Sequence, residues 1–435
     1  MDRKLQNGIF YNNNIFHFKN LSNNNKDTYN NTFAILFLKI RKKSIIDDVV
    51  QSLEQLWKMY ENLTKGIIAD LPHQRVPHGS LSVTLGYGQN IFKLNGVTKS
   101  IPRDFKNSQF LSPKKYNGYI IEGSQLSYSK DIHKNVGLSE DIVIQFIAHS
   151  QLAVNRAIAE TWKNIAHNSS SKYPFIFSRF FTGFQRDDGR SWLGFHDMVS
   201  NMRPGKERKN VIAIHKENNE LLPRDFWTEH GTYMAFLRIE IDLDMWNSIN
   251  RSKQELIIGR DKIHGRPLIG VDKNNNPITS KKTSTAQKVT TYSKKYHDHP
   301  DYFKIFQLPK NLKSKIDIDK SFKALNESHI GRTRHFDNIK NKLVPSRRIY
   351  RQAFEFLESN YLSNKVFNIG LNFLSFQNDP ARLLFILTDP NWLGNSSFGG
   401  DSQFKGIGKV LHVQACGIFY IPPIEKTFPG SSIFT

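Results

Sequence analysis

Residues 33–40 form an apolar run, Phe33-Ala34-Ile35-Leu36-Phe37-Leu38-Lys39-Ile40, stopped by three cations, Arg41-Lys42-Lys43. A run this short and this apolar suits one strand buried on both faces, and it is too short to span a bilayer. The period then changes at once. From Ser44 onward, Ile46, Val49, Val50, Leu53, Leu56, Trp57, Tyr60 and Leu63 recur at helical spacing on one face. Ser44 is expected to cap that helix with Asp47 as its partner, and Gly66 to end it. Strand character returns at Leu81–Tyr87 and at Asp141–Phe146. A helical period runs from Ser150 to Ile165, and a strand near Ser191–Gly194 is expected to close this half.

The same order comes back further along. Tyr233, Ala235, Leu237, Ile239 and Ile241 alternate with Arg238, Glu240 and Asp242, the two-residue period of a strand. A helix is expected from Asp244 to Ile258, stopped by Gly259. A strand follows at Leu371–Gln377, then a helix opened by Asp379-Pro380, then a last strand at Gly417–Ile421. Strand–helix–strand occurring twice in each half predicts an α+β chain. It would hold two ferredoxin-like domains, with mainly antiparallel β-sheets flanked by helices. The expected division is an N-terminal arm (1–30), an N-terminal domain (31–210), a C-terminal domain (220–423) and a tail (424–435). The tail is apolar, and it is expected to pack on its own domain.

Composition narrows the function. The 12% aromatic content, with 32 Phe, excludes a disordered chain. The single cysteine, Cys416, excludes an intramolecular disulfide framework and any multi-cysteine zinc or iron–sulfur site. The net charge of +22 attracts polyanions without specificity, so a basic polyanion-binding protein stays among the readings. Much of that charge falls in a Lys-, Asn- and Ser-rich insert at about 261–345. No signal peptide, twin-arginine signal or transmembrane segment is read, which gives a cytoplasmic expectation without a membrane partner. His297 and His299 flank Asp298, and a solvated polar loop explains them better than a metal site.

Eight segments, in order along the chain, resemble the dye-decolourising peroxidases, a family of haem enzymes. Leu5-Gln6-Asn7-Gly8-Ile9-Phe10 is similar to its N-terminal "IQGNIL" segment, and Leu81–Gly88 to its "LTVTxGFG" strand. Gly194-Phe195-His196-Asp197-Met198 resembles "GFxDG", with Ser200-Asn201 following; Met198 stands where the motif has its second glycine. Gly231–Trp246 resembles "GSYxxxRRIxxDxxxW", and Gln254–Lys262 resembles "QExxIGRxK". Ser328–Thr333 is similar to "AHIRKT", Ile349-Tyr350-Arg351 to "ILR", and Gly370–Gln377 to "GLLFxxFQ".

The resemblance implies a dimeric α/β-barrel-type fold with haem b (iron protoporphyrin IX) held mainly by the second domain. It implies that His329 is the axial ligand to the iron, with Asp401 as the carboxylate hydrogen-bonded behind it. Asp197 would move the peroxide proton, and Arg351 would stabilise negative charge developing on the peroxide. Arg260 would pair with a haem propionate, and Leu371 and Phe373, two apart on a strand, would line the pocket together. The implied activity is a peroxidase. It would reduce hydrogen peroxide and oxidise small organic donors, such as dyes or phenols, in one-electron steps via a ferryl intermediate. A haem-binding or haem-transfer protein with little turnover is the alternative, and a homodimer is left open.

Overall fold

The computed structural model describes residues 5–6, 32–71, 73–107, 127–128, 140–167, 173–186, 189–197, 201–202, 206–217, 221–263, 265, 268, 328–330, 336–337, 342–343, 348–360, 366–383 and 410–435. Met198, His297, Asp298, His299, Asp401 and most of the basic insert lie outside these residues.

Among the described residues, eight strands of six or more residues build the main sheet: β1 (Thr32–Ile40), β2 (Ser82–Tyr87), β3 (Ile142–Ala148), β4 (Phe175–Phe184), β5 (Thr232–Ile241), β6 (Tyr350–Ser359), β7 (Phe367–Gln377) and β8 (Leu411–Ile421), with the two-residue strand Ser127–Tyr128 paired to β8. They run in the order β2-β3-β1-β4-β6-β7-β5-β8, and β8 pairs back to β2, so the sheet closes on itself. Each group of four is antiparallel with the strand order second, third, first, fourth. That is the ferredoxin-like topology, twice. Helices α1 (Ile46–Thr64) and α2 (Gln151–His167) connect the strands of the first half. Helices α3 (Leu243–Ser248) and α4 (Arg251–Ile258) follow β5.

Closure explains why β1 is apolar at successive positions. Phe33, Ile35 and Phe37 point into the closed sheet, where Phe33 stacks on Phe354 with ring centroids 4.3 Å apart. Ala34, Leu36 and Leu38 point outward, under Val49, Leu53, Leu56 and Tyr60 of α1 and Ala153, Val154 and Ala157 of α2. Both faces are dry, so no alternation is visible.

The two seams are thin in backbone pairing, and side chains reinforce them. Between β2 and β8 only Tyr87 and Tyr420 pair, but the buried Gln6 bridges the gap. Its amide donates to the carbonyls of Leu85 (2.8 Å) and Pro422 (2.9 Å), and its Oε1 accepts from the Leu85 N–H. Between β4 and β6 only Phe184 and Glu355 pair, and Asn372 Nδ2 donates across to the Thr182 carbonyl (2.8 Å). Inside, Gln145 Nε2 donates to Gln352 Oε1 (2.7 Å), joining the halves through the core.

Four local expectations are corrected. Ser191–Gly194 is the turn of a small hairpin closed by Arg190 and His196, with Gly194 at φ +82°; the strand that closes the first half is β4. The helix after β5 breaks at Asn250, whose side chain accepts from the Lys253 N–H (3.0 Å) and so starts α4 afresh. Ser44 does not cap α1, because its hydroxyl lies toward the Pro174 carbonyl (3.5 Å) and the cap position falls on Ile45. The C-terminal tail packs on the first half instead of its own. Phe434 meets Tyr87 edge-on at 5.9 Å, and Tyr87 Oη donates to the Pro429 carbonyl (2.7 Å). Ring closure causes this, since it sets the end of β8 beside β2.

Candidate functional site

The outward face of the second half carries the expected site residues. On β6, Tyr350, Phe354 and Phe356 face inward, so Arg351, Ala353 and Glu355 face outward. On β7, Leu374 and Phe376 face inward, so Leu371, Phe373, Ser375 and Gln377 share the outward face. The register sets Phe373 opposite Ala353 and Ser375 opposite Arg351. Arg351, Leu371 and Phe373 therefore lie on one face, and all three are partly exposed.

Arg351 is held by its backbone. Asn201 Nδ2 donates to the Arg351 carbonyl (2.7 Å), and Asn201 Oδ1 accepts from the Arg351 N–H (3.0 Å). One amide side chain thus supplies both bonds that a neighbouring strand residue would have made. Burial lowers the pKa of the Arg351 guanidinium from its usual value; the nearby Asp197 carboxylate opposes that shift and Arg348 adds to it. Asp197 and Arg351 are therefore within electrostatic reach of each other, as the two roles require.

A second group forms at the end of α4. Gly259 takes the left-handed conformation (φ +83°) that ends the helix, and the Ser328–Ile330 turn packs against it. A Cβ there would collide with Ser328 Oγ and come within 2.6 Å of Ile330 Cγ1, so glycine is required for both reasons. The turn that carries the partly exposed His329 thus packs on the end of α4, and the next residue after Gly259, Arg260, is buried and donates from Nη1 to the Gly265 carbonyl (2.7 Å).

The hairpin that carries Asp197 is stapled to this group. Arg190 donates to the carbonyls of Lys262 (2.7 Å) and Ile263 (2.9 Å), and His196 Nε2 donates to Ile263 O (3.1 Å). Trp246 Nε1 donates to the Leu193 carbonyl (3.0 Å), and the Trp192 N–H to Glu355 Oε1 (2.7 Å). The hairpin that ends at Asp197 is therefore tied to Lys262 and Ile263 on one side and to Glu355 of β6 on the other. Arg190, His196 and Glu355 carry no sequence signal for this duty, because their partners are backbone groups distant along the chain. Among the described residues, no group of three or more His, Cys, Asp or Glu side chains is arranged to hold a metal ion. No described helix is long and apolar enough to cross a membrane.

Residues 188–426, more than half of the chain, match the family described as "Dyp-type peroxidase, C-terminal". The chain belongs to the DyP-type peroxidase family. The solved DyP-type peroxidase of Streptomyces coelicolor superposes with a TM-score of 0.59 at 18% identity, covering 92% of this chain and 91% of that one. DtpA of Streptomyces lividans gives 0.61 at 17% identity, covering 93% of each chain. At such identities these likenesses establish the fold: two ferredoxin-like halves, as read from the sequence. Among curated proteins, a deferrochelatase of Shigella flexneri is 26% identical over 195 residues, 43% of this chain and 41% of that protein. The deferrochelatase of Escherichia coli K12 is 22% identical over 239 residues, 50% and 52% of the two chains. The matches span about half the length of these relatives.

Proposed function

We propose that this DyP-type protein is a haem-dependent peroxidase that reduces hydrogen peroxide and oxidises small organic donors such as phenols or dyes. The observation that carries the reading is the meeting of Arg351 and Asp197 at the partly exposed apolar face made by Leu371 and Phe373. The side chains present suit haem b. They are one imidazole (His329), one guanidinium of the kind that pairs with a propionate (Arg260) and an apolar surface of Leu371 and Phe373 beside a cation and a carboxylate. Bound there, haem would supply the redox equivalents that protein side chains lack.

The protein's own part is positioning and proton movement. His329 would hold the iron from one side. Arg351, fixed by Asn201, would orient peroxide and stabilise negative charge on its oxygens in a low-dielectric setting. Asp197 as carboxylate would accept the proton from the near peroxide oxygen and return it to the leaving oxygen. Phe373 and Leu371 would exclude bulk water. Asp401, outside the described residues, is retained as the carboxylate behind His329.

The test is an absorption spectrum of the haem-loaded protein before and after one equivalent of peroxide at mildly acidic pH. A histidine-type Soret band that shifts promptly is expected. A Soret band that peroxide leaves unchanged would replace this reading with a haem-handling protein, which the name deferrochelatase on the curated relatives favours. Absence of any Soret band would remove both.

A further inference from the structure

Three carboxylates gather at the far end of β7. Asp104 sits on the short helix Arg103–Asn107, Asp225 on the turn Pro223–Thr228, and Asp379 just beyond β7. The charged groups around them are Arg103, 3.7 Å from Asp104, Arg224, 3.7 Å from Asp225, and Arg382 near Asp379. The ring of the buried Tyr233 lies among them, close enough that all three carboxylates act on its hydroxyl. Asp225 is 2% exposed; its Oδ2 accepts from the Arg103 N–H (3.3 Å), and its Oδ1 has no hydrogen-bond partner.

Between this cluster and Arg351 stand two further orphaned groups. Ser375 and Gln377 are 0% exposed and share the outward face of β7. Among the described residues, Ser375 Oγ, opposite Arg351 in register, has no hydrogen-bond partner. Gln377 donates from Nε2 to the Tyr233 carbonyl (3.1 Å), while its Oε1 has no partner among the described residues. Buried polar atoms are rarely left unsatisfied, and a bridging water is the usual remedy where polar groups line a site. Ser375 lies two residues before the end of β7 at Gln377, and Asp379 follows two residues after it.

We propose that Ser375 and Gln377 hold a short file of water along the outer face of β7, and that this file carries protons from the Asp104–Asp225–Asp379 cluster to Asp197. The transfer part rests on the peroxidase reading; the water positions do not. Asp197 returns the proton it takes from peroxide, so that step needs none from outside; each electron later taken from a donor is matched by one proton, which leaves the Asp104 carboxyl while an equivalent one arrives at the Asp197 carboxylate. The Ser375 hydroxyl accepts one proton and passes on its own, while Gln377 only orders a water. No electron moves along the file, and solvent reprotonates Asp104. Burial, chiefly, and the neighbouring Asp379 raise the Asp104 pKa to about 6, which suits a group that loads and releases protons near neutrality.

Two measurements test this. The first is a high-resolution crystal structure of the full chain. Ordered waters within hydrogen-bond distance of Ser375 Oγ and Gln377 Oε1 are expected. Dry apolar contact at both atoms would overturn the file, whatever the protein does with peroxide. The second compares Ser375→Val with Ser375→Thr in the haem-loaded protein; the two replacements differ by one hydroxyl in place of a methyl. Val should slow steady-state oxidation of the donor at least about tenfold and flatten its pH profile near 6, as should Asp104→Asn, while Thr restores both. Equal rates in Val and Thr would overturn the relay. A wild-type protein inert to peroxide would defeat the peroxidase reading and the relay with it, and would leave the file to be decided by the waters.

Discussion

In the first half, α1 and α2 cover the outer sheet face with Leu53, Leu56, Tyr60, Val154 and Ala157, and Tyr60 Oη bonds Thr161 Oγ1 between the two helices at 2.9 Å. In the second half, the same face of the same topology carries Arg351, Glu355, Ser375 and Gln377 among its apolar residues. The strand order is identical, so topology did not make the site. What differs is the outward positions of β6 and β7, where a cation and polar groups replace aliphatic side chains. One half stabilises the closed sheet, and the other places charge at a partly exposed surface at the cost of burying polar atoms.

This contrast can be broken or sharpened by mutation. Arg351→Ala should have the largest effect. It should slow the reaction of the haem-loaded protein with peroxide by about 10³-fold, about 4 kcal/mol, with unchanged unfolding, as stopped-flow and thermal melts would show. A loss of stability with an intact rate would place Arg351 on the structural side.

Leu53→Ala in the first half should do the reverse. It should cost about 3 kcal/mol in denaturant unfolding while the peroxide rate per bound haem is kept.

Asp104→Asn should act through pH. The folded pKa of Asp104, about 6, exceeds its ordinary 3.8, so the folded state binds that proton more tightly than the unfolded state does. Asp104 therefore lowers stability progressively as pH rises from about 3.8 to about 6, and the loss persists above that. The Asn variant should not show this decline, and at pH 7 it should exceed wild type by about 2 kcal/mol. Parallel stability–pH curves for the two proteins would refute the assignment.

Asn201→Ala should have the smallest effect on folding, about 1 kcal/mol, yet still lower the peroxide rate. Its backbone bonds position Arg351, and a rate unchanged by the substitution would show that β6 holds Arg351 without them.

Much of this was legible along the chain. The dry run of β1, the one-faced period of α1 and the alternation of β5 are local patterns, because each reports which side of one element meets water. The strand β4 was not legible. Its register against β1 shifts opposite Phe37 and Leu38, so Phe177, Phe180 and Phe181 do not alternate simply. The turn at Ser191–Gly194 reads as a strand because its role is set from far away in sequence: the Leu193 carbonyl accepts from Trp246 Nε1, and the adjoining Phe195 ring meets Trp246 edge-on. At the site, the resemblance marked Asp197, His329, Arg260 and Arg351 as candidates, and the structure adds that the Asp197 carboxylate acts on the Arg351 guanidinium and that the Ser328–Ile330 turn packs on Gly259.

The sequence by itself determined the two strand–helix sets, the identity of the charged residues and the family to which they belong. These are properties of short segments, where side-chain chemistry and period act within a few residues. Only the tertiary structure decided that the two sheets close into one. It also decided that Gln6 and the tail seal one seam, that Asn201 fixes Arg351 and that Ser375 and Gln377 lead toward three carboxylates. Each of those depends on partners far apart along the chain, such as Gln6 with Pro422, Asn201 with Arg351 and Gln377 with Tyr233, whose meeting is set by register and closure and leaves no mark on local composition.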